Sequence, residues 1–270
     1  MWRTGLVVAF AVSLSINVLG QQLSAGDRKI LESARSRYYN LVSLGFQSTV
    51  CSVDFDFSTI PWIPIEDRES SYELLKATRF SLKLDGKNPS VAYVYPSGTT
   101  DSDIQKAAPL ANLLKSLAMG LFLTWPTKGL QGPIPPFDSQ FESVAKTDDG
   151  YRLILKVAGG PVQVDMSKDY LVTRIVSVGG KIDERPVYTP TPDGLIFSGN
   201  HATDDSEQGG RVELQYELEN TIVDGLRLPS SARLRVNQNI DVRFALADCS
   251  VEKATVIVVE PPAVKAPKQR

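Results

Sequence analysis

Side chains that could do acid–base or nucleophilic chemistry are few in this chain. His201 is the only histidine, and the polar composition of residues 198–205 around it predicts a loop. A Ser/His/Asp hydrolase would have to use this histidine, but the chain has no Gly-x-Ser-x-Gly nucleophile motif. A single histidine also excludes a histidine-rich metal site. We therefore expect His201 to be a solvated loop residue.

Two acidic groups could also do chemistry. Asp204, Asp205 and Glu207 could offer oxygen ligands to calcium, but they lack the regular spacing and the glycine of a calcium loop. Asp54 and Asp56 could act as paired acid–base carboxylates. Because they alternate with apolar residues, the outer side of a half-buried strand explains them better. The sequence predicts no enzyme, no metal and no cofactor.

The composition indicates a folded protein that does not bind nucleic acid. Of the 270 residues, 42% are hydrophobic and 22% are charged, which is enough apolar material for a sizeable core. The formal net charge is −2. Without an excess of basic residues the chain cannot neutralise a run of phosphates, so we expect no nucleic-acid partner.

The first 20 residues have the order of a secretory signal peptide. A basic start at Arg3 is followed by an apolar run over residues 6–16 and then by Gly20-Gln21. The apolar run is shorter than the roughly 20 residues that cross a bilayer. Residue 21 is not the cysteine that a bacterial lipoprotein acylates. We expect cleavage near Gly20-Gln21 and an unanchored protein in the periplasm.

Cys51 and Cys249 are the only cysteines. In an oxidising compartment such a pair is a candidate disulfide, which would tie the first strand to the last. Two buried thiols are the alternative, because a sequence does not give the separation of the two Cα atoms.

Hydrophobic periodicity divides the mature chain into an α+β, mainly β order of elements. Helical spacing predicts helices over residues 24–44 and 102–123, with an irregular proline-rich connector over residues 126–136. Alternation predicts strands over residues 51–57, 80–84 and 91–95. Beyond residue 140, turns such as Asp193-Gly194 and Asp224-Gly225 separate a run of strands, typical of an antiparallel meander. Residues 261–270 are predicted to be a disordered tail.

This order, together with three short segments, resembles the periplasmic outer-membrane lipoprotein carrier (LolA/LolB-like) superfamily. The segments are residues 30–41 running into the strand 46–57, residues 165–175, and residues 216–231 with their Asp224-Gly225 turn. The resemblance implies one domain over residues 21–260. It would be a strongly curved antiparallel sheet, an unclosed barrel with an N-terminal helix and inserted lid helices.

The resemblance also implies a function and a site. The protein would be a soluble exported carrier that binds lipid, or the acyl chains of lipoproteins, in an apolar cavity. We expect a monomer, with membrane-associated donor and acceptor proteins as further partners. A periplasmic sensor of the same fold that docks on a partner protein is the alternative. The expected cavity lining is Val53, Phe55, Phe57, Phe80, Leu82, Leu153, Leu155, Leu214, Tyr216 and Leu234. The expected lid residues are Leu113, Leu114, Leu117, Leu121 and Phe122, although a helix this apolar could equally be a core helix.

Overall fold

The computed structural model describes residues 23–60, 68–177, 179, 181–205, 210–237 and 239–254. The predicted signal peptide and tail lie outside these residues. The described chain has three helices, α1 (Ala25–Arg35), α2 (Arg68–Ala77) and α3 (Asp101–Thr124). Its strands are β1 (Phe46–Phe55), β2 (Arg79–Asp85), β3 (Asn88–Val94), β4 (Phe141–Lys146), β5 (Gly150–Leu155), β6 (Val162–Ser167), β7 (Val172–Val176), β8 (Ile182–Thr191), β9 (Gly194–Asp204), β10 (Val212–Val223), β11 (Leu226–Val236) and β12 (Ile240–Lys253).

All twelve strands form one antiparallel sheet in the order β3-β2-β1-β12-β11-β10-β9-β8-β7-β6-β5-β4. Strands β3 and β4 are the two edges and are not paired with each other, so the sheet does not close into a barrel. The chain between these edges contains α3 and then residues 125–140. The predicted α+β, mainly β class with an open antiparallel sheet is confirmed.

The glycine turns that the sequence marks do join neighbouring strands. Asp193-Gly194 connects β8 to β9, and Asp224-Gly225 connects β10 to β11. Asp224 and Gly225 have φ of 49° and 77°, the left-handed pair that a tight hairpin requires. The hairpins fix the register, and the register decides which side chains face the helices.

The first helix is shorter than predicted. It ends at Arg35 instead of continuing to residue 44. Tyr38 forms a bridge to Leu195 of β9, and the Tyr39 amide donates to the Leu195 carbonyl over 3.0 Å. The Leu41 amide donates to the Leu130 carbonyl over 2.9 Å. Because the amides of Tyr39 and Leu41 bond to residues far away in the sequence, the chain after Arg35 does not continue the helix, even though its apolar side chains recur at helical spacing.

The second predicted helix and the disulfide are both present. Helix α3 begins after Thr100, whose side chain accepts a hydrogen bond from the Asp103 amide, and it includes Pro109. Cys51 of β1 and Cys249 of β12 form a disulfide across a sequence separation of 198 residues. It joins neighbouring strands from opposite ends of the chain, as predicted.

One face of the sheet is covered by helices, and its core divides into two clusters. The larger cluster packs α2 and α3 on β1–β3 and β9–β12, which we call the α3 half. The smaller cluster packs α1 on β4–β7, which we call the α1 half. Strand β8 runs between the two halves.

Candidate functional site

The strand positions expected to line a cavity share the covered face of the sheet. Directly opposed residues of neighbouring strands point to the same side. Leu153 lies opposite Val164, and from there the pairing runs through β7 and β8 to Ala202 and Leu214. On the other side of β11, the same face continues through Val242 and Phe244 of β12 to Phe55 of β1. We call this surface the inner face.

The predicted lining residues nevertheless fall in different clusters. Leu153 and Leu155 belong to the α1 half. Those in the α3 half are Val53, Phe55, Phe80, Leu82, Tyr216 and Leu234, all buried, with Leu214 and Phe57 partly buried. Phe57 lies just beyond β1 in a 3₁₀ turn and contacts the Tyr72 ring, with the centroids 5.8 Å apart. All ten are packed against other apolar side chains in the two clusters.

Helix α3 covers the inner face of the α3 half. Leu114, Leu121 and Phe122 of the predicted lid are buried, and Leu113 and Leu117 are partly buried against the same cluster. Residues 101–130 are long and apolar enough to cross a membrane by length and composition, yet only 39% of their most apolar stretch is buried. From residue 116 to residue 127 there is no charged side chain. The exposed positions of α3 are nevertheless mostly polar or small, and Leu123, 36% exposed, is the large apolar side chain among them.

A polar network lies where α3 ends and the two halves meet. We call it the seam: Thr124, Lys128, Glu184, Tyr188, Asn200 and Tyr216. Lys128 is on the π-helical turn Pro126–Leu130 that follows α3, and it is the one charged residue among the buried side chains of the described chain. Its Nζ lies 2.6 Å from Oε2 of Glu184 on β8. The Lys128 side chain is 7% exposed and the Glu184 side chain 21% exposed, so both charges have been taken largely out of water, which is costly.

The remaining seam groups surround this ion pair. Asn200 Nδ2 donates to the same Glu184 oxygen over 2.9 Å, and the Tyr216 hydroxyl is 3.3 Å from Thr124 Oγ1. Asn200 Oδ1 and the Tyr188 hydroxyl are enclosed, and neither has a hydrogen-bond partner within the described residues. Buried polar atoms are nearly always paired, so an enclosed oxygen on Asn200, which bonds Glu184, and an enclosed hydroxyl on Tyr188 of the same strand as Glu184 mark a polar site.

Electrostatics at the seam follow from burial and from the ion pair. Burial alone lowers the pKa of Lys128, but the Glu184 carboxylate outweighs it and raises that pKa above the usual value. Burial raises the pKa of the Tyr188 and Tyr216 hydroxyls, Tyr188 well above 10. Lys128 is thus held as an ammonium and the two tyrosines as neutral phenols.

Aromatic rings form a continuous wall beside the seam. Tyr38 and Tyr188 are 4.9 Å apart between ring centroids, Tyr188 and Phe197 are 5.6 Å apart, and Phe197 and Tyr216 are 5.8 Å apart. The Tyr38 hydroxyl also accepts from the Val172 amide over 2.7 Å, which ties the wall to β7 of the α1 half.

Sequence reasoning missed the seam, apart from Tyr216, which it placed in an apolar lining. Lys128 lies in the connector that was predicted as irregular. Glu184 occupies an inward position of β8, opposite Ile175 and Ala202. A charged residue at an inward-facing position of a strand is the signal that could have identified Glu184. The sequence alone does not show which side chains of β8 face inward, because this depends on how β8 pairs with β7 and β9.

The residues considered for catalysis lie elsewhere. His201 is in strand β9 and not in a loop, which corrects the prediction, because it pairs with Arg185 of β8 and Gln215 of β10. It faces outward into an open polar cleft of about 470 Å³. Asp54 and Asp56 are exposed on the outer face, as expected. Within the described residues no three His, Cys, Asp or Glu side chains are grouped to hold a metal ion, and Glu207 lies outside them.

Comparison with known protein families, curated proteins and solved structures gives no significant match for this chain. The resemblance to lipoprotein carriers therefore stays a prediction from the sequence. The fold class is described from the structure itself: an open antiparallel sheet with helices covering one face, the inner face.

Proposed function

We propose that this protein is a soluble exported carrier that binds lipid, or the acyl chains of lipoproteins, on the inner face of the sheet beneath α3. The observation that carries the proposal is α3 itself, a mostly apolar helix in the connection between the two unpaired edges of the sheet, with no charged side chain from residue 116 to its end at Thr124.

In this proposal α3 protects the inner face when no cargo is bound. Its buried side chains, Leu110, Leu114, Leu121 and Phe122 among them, occupy the surface that an acyl chain would cover. Burying an acyl chain contributes about 0.8 kcal/mol per CH₂, so a chain of ordinary length can offset the loss of these contacts. Once displaced, α3 is uncharged enough at its C-terminal end to lie against the cargo or against a membrane.

The test is to express the protein with its own signal in a bacterial envelope and to analyse it by native mass spectrometry and lipid extraction. Binding of a fluorescent acyl probe is then compared in two variants on adjacent positions of β10. Leu214→Gln places an amide on the inner face and should weaken probe binding severalfold, whereas Gln215→Ala alters only the outer face and should not.

Co-purified lipid together with this inner-face dependence would support the carrier. Absence of lipid and of probe binding would overturn it. A single stable protein partner with no lipid would favour the alternative, a periplasmic sensor of the same fold.

A further inference from the structure

The seam has a fixed part and a movable part, and they carry opposite charge. The fixed part is on the sheet, where β8, β9 and β10 supply Glu184, Asn200 and Tyr216. The cation, Lys128, is supplied by the turn that ends α3. If α3 moves to admit an acyl chain, as in the proposed function, Lys128 moves with it and the carboxylate of Glu184 stays on the inner face.

The fixed part is chemically suited to an organic ammonium. It offers the Glu184 carboxylate, the unpaired Asn200 Oδ1 beside it and, farther along β8, the unpaired Tyr188 hydroxyl. The aromatic wall of Tyr38, Tyr188, Phe197 and Tyr216 adds ring faces, which attract cations. An anionic head would instead meet the Glu184 carboxylate and be repelled.

Lys128 shows that the site accepts an alkylammonium. Its side chain is an ammonium on a four-carbon stem, it is 6% exposed, and its Nζ is 2.6 Å from Glu184. We infer that the preferred cargo of the inner face is an amphiphile with a primary ammonium head. In the protein without cargo, the Lys128 ammonium occupies the position on Glu184 that this head group takes. This inference rests on the proposed function and specifies the cargo that it leaves open.

Three probes with the same 12-carbon chain test the inference: dodecylammonium, dodecanol and dodecanoate, each below its micelle concentration, by calorimetry at pH 7. We expect the intact protein to bind dodecylammonium on the order of tenfold more tightly than dodecanol, because a charge-assisted hydrogen bond replaces a neutral one. Dodecanoate should bind most weakly.

Single substitutions test which residue determines the preference for dodecylammonium over dodecanol. Glu184→Gln should reduce the preference for dodecylammonium over dodecanol to about one, and Lys128→Met should increase it, because Glu184 is then unoccupied. The matched control is Asp183→Asn, which neutralises the adjacent residue of β8 on the outer face, where it pairs with Arg174. This control should leave the preference unchanged.

A double variant that lacks both charges of the pair is the control for misfolding of the single variants. Lys128→Met combined with Glu184→Met should keep dodecanol binding and lose the preference for dodecylammonium. Equal binding of all three probes, a preference for dodecanoate, or a preference that survives Glu184→Gln would overturn this inference and leave the carrier intact. Failure of all three probes to bind would overturn the proposed function itself.

Two sources of a primary ammonium can then be compared, a lauroyl lysophosphatidylethanolamine and a lauroylated peptide with one lysine. A Glu184-dependent preference for the first identifies a lipid headgroup, and one for the second identifies an acylated protein. Tight binding of either that is insensitive to Glu184→Gln counts against the inference.

Discussion

The two halves of the molecule use the same sheet but are covered by different kinds of helix. Helix α1 has a capping box at Ser24 and Asp27 and presents charged residues such as Arg28 and Glu32 to solvent. Helix α3 carries no charged side chain from residue 116 to its end at Thr124, and its most apolar stretch is 39% buried. This uncharged end would tolerate displacement into an apolar environment, which is the basis of the proposed carrier.

Removing one partner of the seam ion pair should be among the most destabilising single changes, because the pair lies where the two halves meet. Lys128→Met leaves the partly buried Glu184 carboxylate, whose side chain is 21% exposed, without its cation. We expect a loss of about 3 kcal/mol in the free energy of unfolding. Lys128→Met with Glu184→Met should be within about 1 kcal/mol of the intact protein, since apolar replacement of a whole buried pair is often neutral. Urea unfolding measures both, and a single variant as stable as the intact protein would refute a buried, essential pairing.

The same pair predicts a dependence on alkaline pH. Because Lys128 has a raised pKa in the fold, its stabilisation is fully present below the unfolded value of about 10.4 and is lost as pH rises through the folded pKa. Unfolding followed from pH 8 to pH 11 should show a steeper loss in the intact protein than in the doubly substituted one, which keeps only the loss caused by buried tyrosines such as Tyr188 and Tyr216, whose pKa is also raised.

The disulfide lies within the α3 half, between β1 and β12. Cys51→Ala with Cys249→Ala removes a link between β1 and β12 that closes a very long loop. We expect a loss of about 2–5 kcal/mol, the usual range for a native bridge. Hydrogen exchange should quicken first in β1 and β12 and last in β5 and β6. Uniform quickening would mean that the halves unfold together.

Matched leucine truncations compare the two cores directly. Leu114 of α3 and Leu153 of β5 are both fully buried, one in each cluster. Each change to alanine should cost about 2–5 kcal/mol from lost transfer energy and a residual cavity. If Leu114→Ala raises exchange in α3 and β2 while Leu153→Ala raises it in β4–β6, the halves are separate cooperative units. Identical exchange patterns would show one unit.

The smallest effect belongs to the outer face. Hydrogen bonds from Arg174 and its positive charge lower the pKa of Asp183, whose side chain is 24% exposed. Asp183→Asn should cost about 0.2–1 kcal/mol, as for other solvent-exposed pairs. A lowered pKa gives stability that is present above pH ~4 and is lost as pH falls through the folded value. The variant should therefore lose less stability than the intact protein between pH 5 and pH 2.

Much of the fold could be predicted from the hydrophobic periodicity of the sequence and from its turn-forming residues. Alternation in Val212–Val223, and glycine at Asp224-Gly225, predict the β10–β11 hairpin because strand phase and positive φ are local properties. The length of α3 and the pairing of the cysteines were likewise accessible. The end of α1 was not, because Tyr38 and Leu41 bond to Leu195 and Leu130, which are far away in the sequence.

The sequence by itself determined an apolar inner side for most strands, an apolar helix and a candidate disulfide, since each follows from residue type and short-range spacing. Only the tertiary structure decided which residues meet at the seam. Lys128, Glu184 and Asn200 come from three separate segments, and burying their charges and polar groups is tolerable only where they pair with one another. Such pairing is a property of distance in space, so the polar centre of this apolar face becomes visible only in the folded chain.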